Sequence, residues 1–560
     1  MQPARSSLPR FPAAGSPASA RRGGVATVAL GLSALVASGC FLGDTTVPPP
    51  VNAFYYPTGL VRSPGGSTLY VTNSDFDLQY EGGTVFALDL TKLRPQLGTL
   101  LTALRKVGTD KTSTVEGACN GRRNTNSILN PGPCLAIPLA LANGGEPLAA
   151  SIGAFASGAV LVKRPDTTTD ARLFVPVRGD PSITFLDIAN DTSTGTFKRT
   201  LRCSSVTADN GARCTNDHLI GIEPFESTRS ITLPTEPVGI DVSEDGKAIV
   251  VAHQTLKAVS LSINQWPASS GTTNENGSKP TLEFVLGNLP DGPTEVVAVP
   301  IPKLFKDRVE LDIPTIDYQP GFLITYRAAP VLDLVRVHKS ESGTARPSLS
   351  LATETLISVN ADGKDSRGIA IDPSARRGCE DDCLKVTDVP TCLLGCTKIP
   401  IDVYIANRTP PSLLIGRLET TTTPQGSVKP TGAFDRVMIT DSVPLAQGAS
   451  KIAVGNVIDP QGNLSRRVFT AAFDSRLVFS YDPDNHRVDA IIKTGRGPHA
   501  LAFDDDRTAT DATKAEHAFL VIGHFTDSYL GVVDLDMRHP ETFGTIFASV
   551  GTPMPPRDSK

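Results

Sequence analysis

The sequence predicts an all-β fold, a seven-bladed β-propeller of four-stranded antiparallel blades, from three observations. Glycine and proline are frequent, with 48 and 45 copies in 560 residues, which favours many short strands separated by turns. Two short patterns alternate about seven times along the chain. A further apolar segment follows most of these pairs and completes a unit of four strands.

The first pattern is a turn followed by one strand, as in EPVGIDVSEDG from Glu236. It begins at Tyr56, Gly145, Glu236, Gly292, Ser366, Gly448 and Gly497. The second pattern is two apolar strands joined by a turn, as in FLVIGHFTDSYLGVVDL. A single four-stranded sheet cannot bury both faces, so we expect the units to pack radially against one another.

The residues of these units resemble the YVTN family of propeller repeats. Tyr70-Val71-Thr72-Asn73 matches the motif that gives the family its name. PVGIDVSEDGKAIVVAH, from Pro237, is the closest full unit, with His253 at the place of the asparagine. The likeness extends over about residues 54–551. It implies a propeller, and it implies no particular activity.

The N-terminus reads as an export signal. Four arginines precede the apolar run VATVALGLSALVA, which is short for a membrane span, and ASGC follows it. This ending resembles a bacterial lipobox, which implies cleavage before Cys40 and a diacylglycerol on its sulfur. Phe41 in place of aspartate after Cys40 favours the outer membrane, with the chain on its periplasmic or surface side. The alternative is an ordinary secretory signal in which Cys40 is incidental.

We therefore divide the chain into a signal peptide (1–39), a lipidated cysteine with a proline-rich tether (40–53), the propeller (54–551) and a tail (552–560). Removing residues 1–39, which carry four arginines and no acids, takes the formal net charge from −5 to −9. An acidic, exported chain is a poor candidate for nucleic-acid binding.

The other eight cysteines form local clusters, which indicates four disulfides in an oxidising compartment. They fall in predicted insertions at about 105–135, 203–228 and 376–400. We expect the pairs Cys119–Cys134 and Cys203–Cys214. In CEDDCLKVTDVPTCLLGC, helical spacing would allow Cys379–Cys396 with Cys383–Cys392, although the connectivity stays open. A tetrathiolate zinc site is the alternative, less favoured because zinc sites more often use C-x-x-C pairs.

A candidate ligand site follows from the propeller geometry, because matching loops of all units meet around one channel opening. The position of Asn73 is taken elsewhere by Val177, His253, Tyr326, Asn407, Ala472 and His524. The next position holds Ser74, Arg178, Gln254, Arg327, Arg408, Phe473 and Phe525. The candidate ligand-binding residues are Arg178, His253, Arg327, Arg408, His499 and His524. Arginines suit carboxylates or phosphates, whereas asparagine and histidine here could equally bond turn backbone.

No metal, cofactor or nucleophile–base pair can be assigned from the sequence, so enzymatic activity is undecided and less favoured than binding. The leading hypothesis is a lipid-anchored, non-catalytic binding or scaffold module in the bacterial cell envelope, with a protein or glycan partner. The alternative is a hydrolase or metal-dependent enzyme using the channel face, because YVTN-like propellers are similar to lactonases. Water would then be activated by His253, His499 or His524.

Overall fold

The computed structural model describes residues 47–556 except for 166–169, 189–200, 204–209, 228, 267–278, 307–317, 339–345, 358–362, 424–431 and 509–510. Its strands form seven four-stranded antiparallel sheets, each made of strands that are consecutive in the chain. The predicted seven-bladed propeller is therefore confirmed. We name the strands of each blade A to D in chain order.

The strands are two to fourteen residues long, and many of them are rich in β-branched and aromatic residues, as in TLYVTN and GFLITY. Blades one to three contain β1 (Pro57–Arg62), β2 (Thr68–Asn73), β3 (Thr84–Asp89), β4 (Leu148–Ser151), β5 (Val160–Lys163), β6 (Ala171–Val177), β7 (Ser182–Ile188), β8 (Leu219–Ile220), β9 (Pro237–Val242), β10 (Ala248–His253), β11 (Ala258–Ile263) and β12 (Thr281–Leu286). Blades four and five contain β13 (Pro293–Ala298), β14 (Gly321–Tyr326), β15 (Val331–His338), β16 (Ser348–Leu356), β17 (Lys364–Asp372), β18 (Ile401–Thr409), β19 (Pro411–Thr423) and β20 (Gly432–Pro444).

Blades six and seven contain β21 (Ala449–Ile458), β22 (Leu464–Ala472), β23 (Leu477–Asp482), β24 (Arg487–Lys493), β25 (Pro498–Thr508), β26 (Asp511–His524), β27 (Tyr529–Asp534) and β28 (Ile546–Val550). The helices lie in insertions: α1 (Leu90–Thr109), α2 (Val115–Ala118), α3 (Leu139–Asn143), α4 (Lys303–Lys306), α5 (Ser374–Cys383) and α6 (Val389–Cys396). Two single 3-10 turns, Asn216–His218 and Pro224–Glu226, flank β8.

One apolar cluster fills each of the seven interfaces between neighbouring blades. The third blade shows the pattern. Ile249 and Val251 of β10 pack against blade two, whereas Val250 and Ala252 pack against blade four. Successive strand residues point to opposite faces, so a strand buried on both faces reads as a continuous apolar run.

The A strands crowd around the channel, and two glycines permit their close approach. A Cβ on Gly239 would lie 2.5 Å from the Thr294 carbonyl oxygen of the next blade. A Cβ on Gly368 would lie 2.3 Å from the Ser450 carbonyl oxygen. Both distances are shorter than van der Waals contact, so a side chain here would push neighbouring blades apart.

One strand assignment from the sequence is wrong. The segment at Gly145 was expected to open the second unit, but Leu148–Ser151 is the D strand of blade one, paired with β3. The second blade begins instead with FASGAVLV, which contains β5. The insertion carrying α1 to α3 separates β3 from β4, which disguised the fourth strand of the first blade as the start of the second.

Helix α1 closes the ring where blade seven meets blade one. Its apolar face contributes Leu93, Leu97 and Leu101 to the cluster between these blades. Arg94 forms a forked ion pair with Asp504 of β25, with N–O distances of 2.6 and 2.9 Å. Burial by itself raises the pKa of the Asp504 carboxyl, but the Arg94, His517 and Arg62 side chains outweigh it and hold that pKa well below its ordinary value.

The four disulfides are Cys119–Cys134, Cys203–Cys214, Cys379–Cys396 and Cys383–Cys392. These are the pairs that the sequence suggests. The last two join α5 to α6, which pack with α4 around Leu304, Phe305 and Leu393. Three of these sulfurs lie close enough together to suggest a metal site, but as disulfides they offer no thiolate ligands.

The signal peptide and Cys40 lie outside the described residues. The propeller lies within Pro48–Lys560. Among the helices that the structure describes, none combines the length and apolarity that crossing a bilayer requires.

We predict that Asp504→Asn lowers the free energy of unfolding by about 3 kcal/mol, because it removes the buried carboxylate that pairs with Arg94 and one of the two that pair with Arg62. Urea unfolding followed by far-UV circular dichroism measures this. The control is Asp382→Asn, which breaks an exposed ion pair with Lys385 and should leave the midpoint unchanged. Equal midpoints for Asp504→Asn and wild type would show that α1 does not hold the ring closed.

Candidate functional site

The loops between strands B and C and the turns before strand A lie on one face of the propeller, here called the mouth. They surround a cavity of about 310 Å³ at the end of the central channel. Its lining comes from three sets of equivalent residues that recur blade by blade. These sets are the turn positions, the inner ring and the outer ring.

The turn position is the residue that precedes the first paired residue of strand A. It has a left-handed backbone in all seven blades, with φ between 51° and 88°. The seven residues are Tyr56, Phe155, Glu236, Gly292, Asp365, Gly448 and Gly497. In six blades its carbonyl oxygen accepts a hydrogen bond from the backbone N–H that follows strand B, for example from Phe525 to Gly497 at 2.8 Å. This bond links the two loops that form the mouth.

The inner ring lies two residues after each turn position and faces the channel. All seven of its members line the cavity: Thr58, Ser157, Val238, Thr294, Arg367, Ser450 and His499. Its hydroxyl groups donate to backbone carbonyls, as Thr294 does to Ser366 of the next blade at 2.7 Å. The ring therefore contributes one arginine and one histidine beyond these bonded hydroxyls.

The outer ring is the residue that follows the end of strand B. Six of its seven members line the cavity: Ser74, Arg178, Gln254, Arg408, Phe473 and Phe525. Arg327, the seventh, is exposed and lies outside the lining. The structure thus brings three of the candidate residues together in the cavity, namely Arg178, Arg408 and His499.

The last residue of strand B, the place of Asn73, points into the blade instead. All seven residues there are at most 2% exposed: Asn73, Val177, His253, Tyr326, Asn407, Ala472 and His524. The two asparagines bond their own surroundings, as Asn407 Nδ2 does with the Pro410 carbonyl oxygen at 2.8 Å. The expected channel ring is displaced by one residue because side chains alternate across a strand.

His253 and His524 must therefore be removed from the candidate channel set. His253 Nδ1 lies 3.3 Å from the Thr235 carbonyl oxygen, so it carries the proton, and Nε2 accepts from the Ser260 hydroxyl at 2.8 Å. The ring of His524 stacks on Tyr529, with centroids 4.1 Å apart. Burial lowers the pKa of His253 to about 4 and that of His524 to about 3.

Four cations line the cavity: Arg178, Arg367, Arg408 and Lys451. Each forms an ion pair, with Glu236, Asp365, Asp474 and Glu295 respectively. Of these four acids, only Glu295 is itself part of the lining. The other three pair with the arginines from outside the lining, so the cavity wall itself contains four cations and one carboxylate.

Four phenylalanines of the lining form an arc that runs from blade six through blades seven and one to blade two. This aromatic arc consists of Phe473, Phe525, Phe76 and Phe155. Neighbouring ring centroids are 5.3–6.1 Å apart. Arg178 borders one end of the arc, and Arg367, Arg408 and Lys451 border the other. The mouth therefore offers an apolar wall between two cationic groups.

His499 lies at the aromatic arc, with its ring centroid 5.9 Å from that of Phe525. Burial, followed by the charges of Lys451 and Arg367, lowers the pKa of His499 to about 3. The imidazole is therefore neutral at physiological pH. One of its ring nitrogens can donate a hydrogen bond and the other can accept one. Its low pKa makes it a weak general base.

Sequence reasoning missed Arg367, Lys451 and Phe76. Arg367 is the blade-five equivalent of His499, and aligning the segments two residues after each turn would have found it. Lys451 occupies a position that is glycine in four blades, so repeat comparison marks it as unusual. Phe76 lies in residues 74–83, the longest described B–C loop. Because the sequences of these loops differ between repeats, comparing the repeats does not point to it.

Below the inner ring the channel wall contains the apolar side chains Leu60, Ile240 and Ile369 beside polar ones. The carboxylate of Asp241 accepts a hydrogen bond from the Ala298 backbone N–H at 2.7 Å there. Burial raises the pKa of Asp241 to about 6. Above that pH the lower channel carries negative charge beneath the four cations of the cavity lining.

No family model matches this chain, and no curated protein matches it. Solved structures with a similar fold include hydrazine synthase of Kuenenia stuttgartiensis, at 12% identity and TM-score 0.42, covering 88% of this chain and 99% of that one. The periplasmic gluconolactonase PpgL of Pseudomonas aeruginosa is 12% identical with TM-score 0.40, covering 90% and 97%. Likeness at this level carries no information about activity.

We predict that His253→Asn, which installs the residue used in blades one and five, flattens the pH dependence of stability. Below the unfolded pKa of about 6.5 the unfolded chain binds a proton that the buried ring refuses, so His253 destabilises the fold as pH falls towards 4. The difference in unfolding free energy between variant and wild type should shift in the variant's favour by about 3 kcal/mol from pH 7 to pH 4.

Urea titrations at pH 4 to 7 measure this difference. The control is Leu256→Asn, on the exposed B–C loop of the same blade, which removes no titratable group, so the difference should not change with pH. A pH-independent difference for His253→Asn would mean that the ring is accessible to protons in the folded state.

Proposed function

We propose that this protein is a lipid-anchored, cell-envelope propeller that binds an anionic ligand at its mouth without transforming it. The observation that carries the proposal is the cavity wall, in which the aromatic arc lies between two groups of cations. A ligand that fits has a carboxylate, sulfate or phosphate beside a flat apolar face. An acidic envelope glycan has both features, as does an acidic, aromatic segment of a protein partner.

The arginines have donors to spare. Each guanidinium carries five N–H groups. Among the described residues, side-chain hydrogen bonds occupy one N–H group of Arg178, two of Arg367 and one of Arg408. Because acids already hold the guanidinium groups, a bound anion gains charge-assisted hydrogen bonds at little cost in side-chain entropy.

A binding role fits the geometry better than the lactonase-like alternative. Hydrolysis would need His499 to take a proton from water, and its low pKa makes it a weak base. Lys451 and Glu295 form an ion pair with each other, so neither is a free base for hydrolysis. The other two histidines named for that role, His253 and His524, lie in the core.

We predict that anilinonaphthalene sulfonate, a fluorescent anion with two aromatic rings, binds the mouth. Arg178→Gln/Arg408→Gln should weaken binding at least about tenfold through lost charge-assisted bonds, and Phe76→Ser should weaken it by removing stacking surface. Acidic galacturonate oligomers should displace the dye, and neutral galactose oligomers should not. Fluorescence titration of the purified chain measures both effects.

Matched controls are Arg417→Gln and Phe434→Ser, which remove an exposed arginine and an exposed phenylalanine on the long strands of blade five, outside the mouth lining. If the mouth variants and the control variants bound the dye with equal affinity, a binding site at the mouth would be contradicted. Turnover of a sugar lactone by the wild-type chain, lost in His499→Asn, would replace the binding role with the hydrolase.

The anchor is a separate part of the proposal. It is supported by the lipobox-like ending ASGC and by the pairing of the other eight cysteines with one another. We predict that Cys40→Ala abolishes labelling by radioactive palmitate and moves the protein from the detergent phase to the aqueous phase in phase separation. Retention of the variant in the outer-membrane pellet would contradict the lipid anchor.

A further inference from the structure

The polypeptide enters and leaves the propeller at the mouth. The Tyr55 N–H donates to Asn73 Oδ1 at 3.3 Å, and the Tyr56 N–H donates to the Ser528 hydroxyl at 3.0 Å. Near the other end, the Met554 N–H donates to the Asp527 carbonyl oxygen at 2.8 Å. Asn73, Asp527 and Ser528 all belong to B–C loops or strand ends of this face.

The first described residues lie at the same level. Val51 packs into the cluster between blades seven and one and lies beside Gly211. Gly211 in turn flanks Ser151, the last residue of β4, whose partner Thr84 begins β3 at the mouth. The chain therefore reaches the mouth within a few residues of Pro48.

The chain between the anchor and the propeller is short. Seven residues lie between Cys40 and Pro48, and the eight peptide units span at most about 28 Å when fully extended. Because this segment joins the propeller at the mouth, an anchor at Cys40 brings the mouth face within reach of the bilayer.

The rim of the mouth carries large apolar side chains that face solvent. Leu78 is 59% exposed and Leu256 is 52% exposed, and both lie on B–C loops. Leu78 also has a left-handed backbone, with φ of 55°, which costs an L residue about 1 kcal/mol. Neither leucine belongs to the cavity lining. Burial in the protein therefore does not account for these two exposed side chains.

We infer that the mouth face docks on an anionic bilayer surface, with Leu78 and Leu256 in the boundary between headgroups and acyl chains. The inference rests on the lipid anchor and the anion site proposed above. A headgroup phosphate then meets Arg178 and Arg408, whose guanidinium N–H groups can bind it. Apolar contacts and headgroup charge add to the acyl chains on Cys40, and two such signals hold a protein on a membrane far better than one.

Docking can be measured without the lipid, using the mature chain with Cys40→Ala and sedimentation with vesicles. Vesicles of equal parts phosphatidylglycerol and phosphatidylcholine should bind the chain, and vesicles of phosphatidylcholine alone should bind it about tenfold less. Leu78→Ser/Leu256→Ser should lower binding to the anionic vesicles by about tenfold or more. The matched pair Leu351→Ser/Ile491→Ser, of similar exposure on the outer strands of blades four and six, should leave it unchanged.

The orientation has its own readout. A tryptophan at Leu256→Trp should be quenched by brominated lipid in these vesicles, and one at Ile491→Trp should not, with Trp266 common to both. Equal binding of the two leucine pairs, or equal quenching at the two sites, would overturn the docking surface. Because Leu78 and Leu256 lie outside the lining, dye binding by the Leu78→Ser/Leu256→Ser chain without vesicles tests the anion site separately.

Discussion

The whole structure depends on packing each twisted sheet between two neighbours. A four-stranded blade has two apolar faces, and only a closed ring covers both faces of every blade. The ring must therefore be closed where blade seven meets blade one. Among the described strands, none is shared between the two ends of the chain. Blade one and blade seven each contain their own four consecutive strands. The leucine face of α1 and the buried Asp504 salt-bridge cluster supply the closure instead.

Closure in turn allows strain at the mouth. All seven turn positions have positive φ, and glycine adopts this conformation without steric cost. Four of them carry side chains nevertheless, at a cost of the order of 1–3 kcal/mol each: Tyr56, Phe155, Glu236 and Asp365. Each of these side chains contacts a residue of the cavity lining, either in the aromatic arc or as the acid paired with an arginine. The strain is thus concentrated where the side chains shape the cavity.

The sequence was sufficient for the number of blades and for grouping the cysteines into local clusters, because both depend on local spacing. The repeat appears in short strands that are apolar on both sides, and paired cysteines lie only 9 to 17 residues apart, whereas the connectivity within the four-cysteine cluster needed the structure. The second blade was misplaced because a 58-residue insertion, 90–147, separates its neighbour's last two strands. Counting repeats in the sequence does not show that the strand after such an insertion pairs with the strand before it.

Three of the six candidate residues, Arg178, Arg408 and His499, line the cavity, whereas His253 and His524 lie in the core. Asn73 and its equivalents mark the end of strand B clearly, yet a one-residue step in a strand reverses the direction of a side chain. Whether His253 faces the channel or the core depends on where the sheet twists, which the repeat pattern does not encode. Arg178 and Arg408, one residue later, do line the cavity. Aligning both loops of each blade, rather than one, is what distinguishes the two registers.

The vertical order of charge in the channel explains why a ligand would stay at the mouth. The mouth lining presents Arg178, Arg367 and Arg408. Deeper in the channel, Asp241 adds a carboxylate that is charged above about pH 6. An anion that moved down would leave its guanidinium partners and approach this carboxylate. Binding at the mouth is therefore favoured in free energy over binding deeper in the channel. At the mouth the ligand also stays next to the surface on which we propose that this face docks.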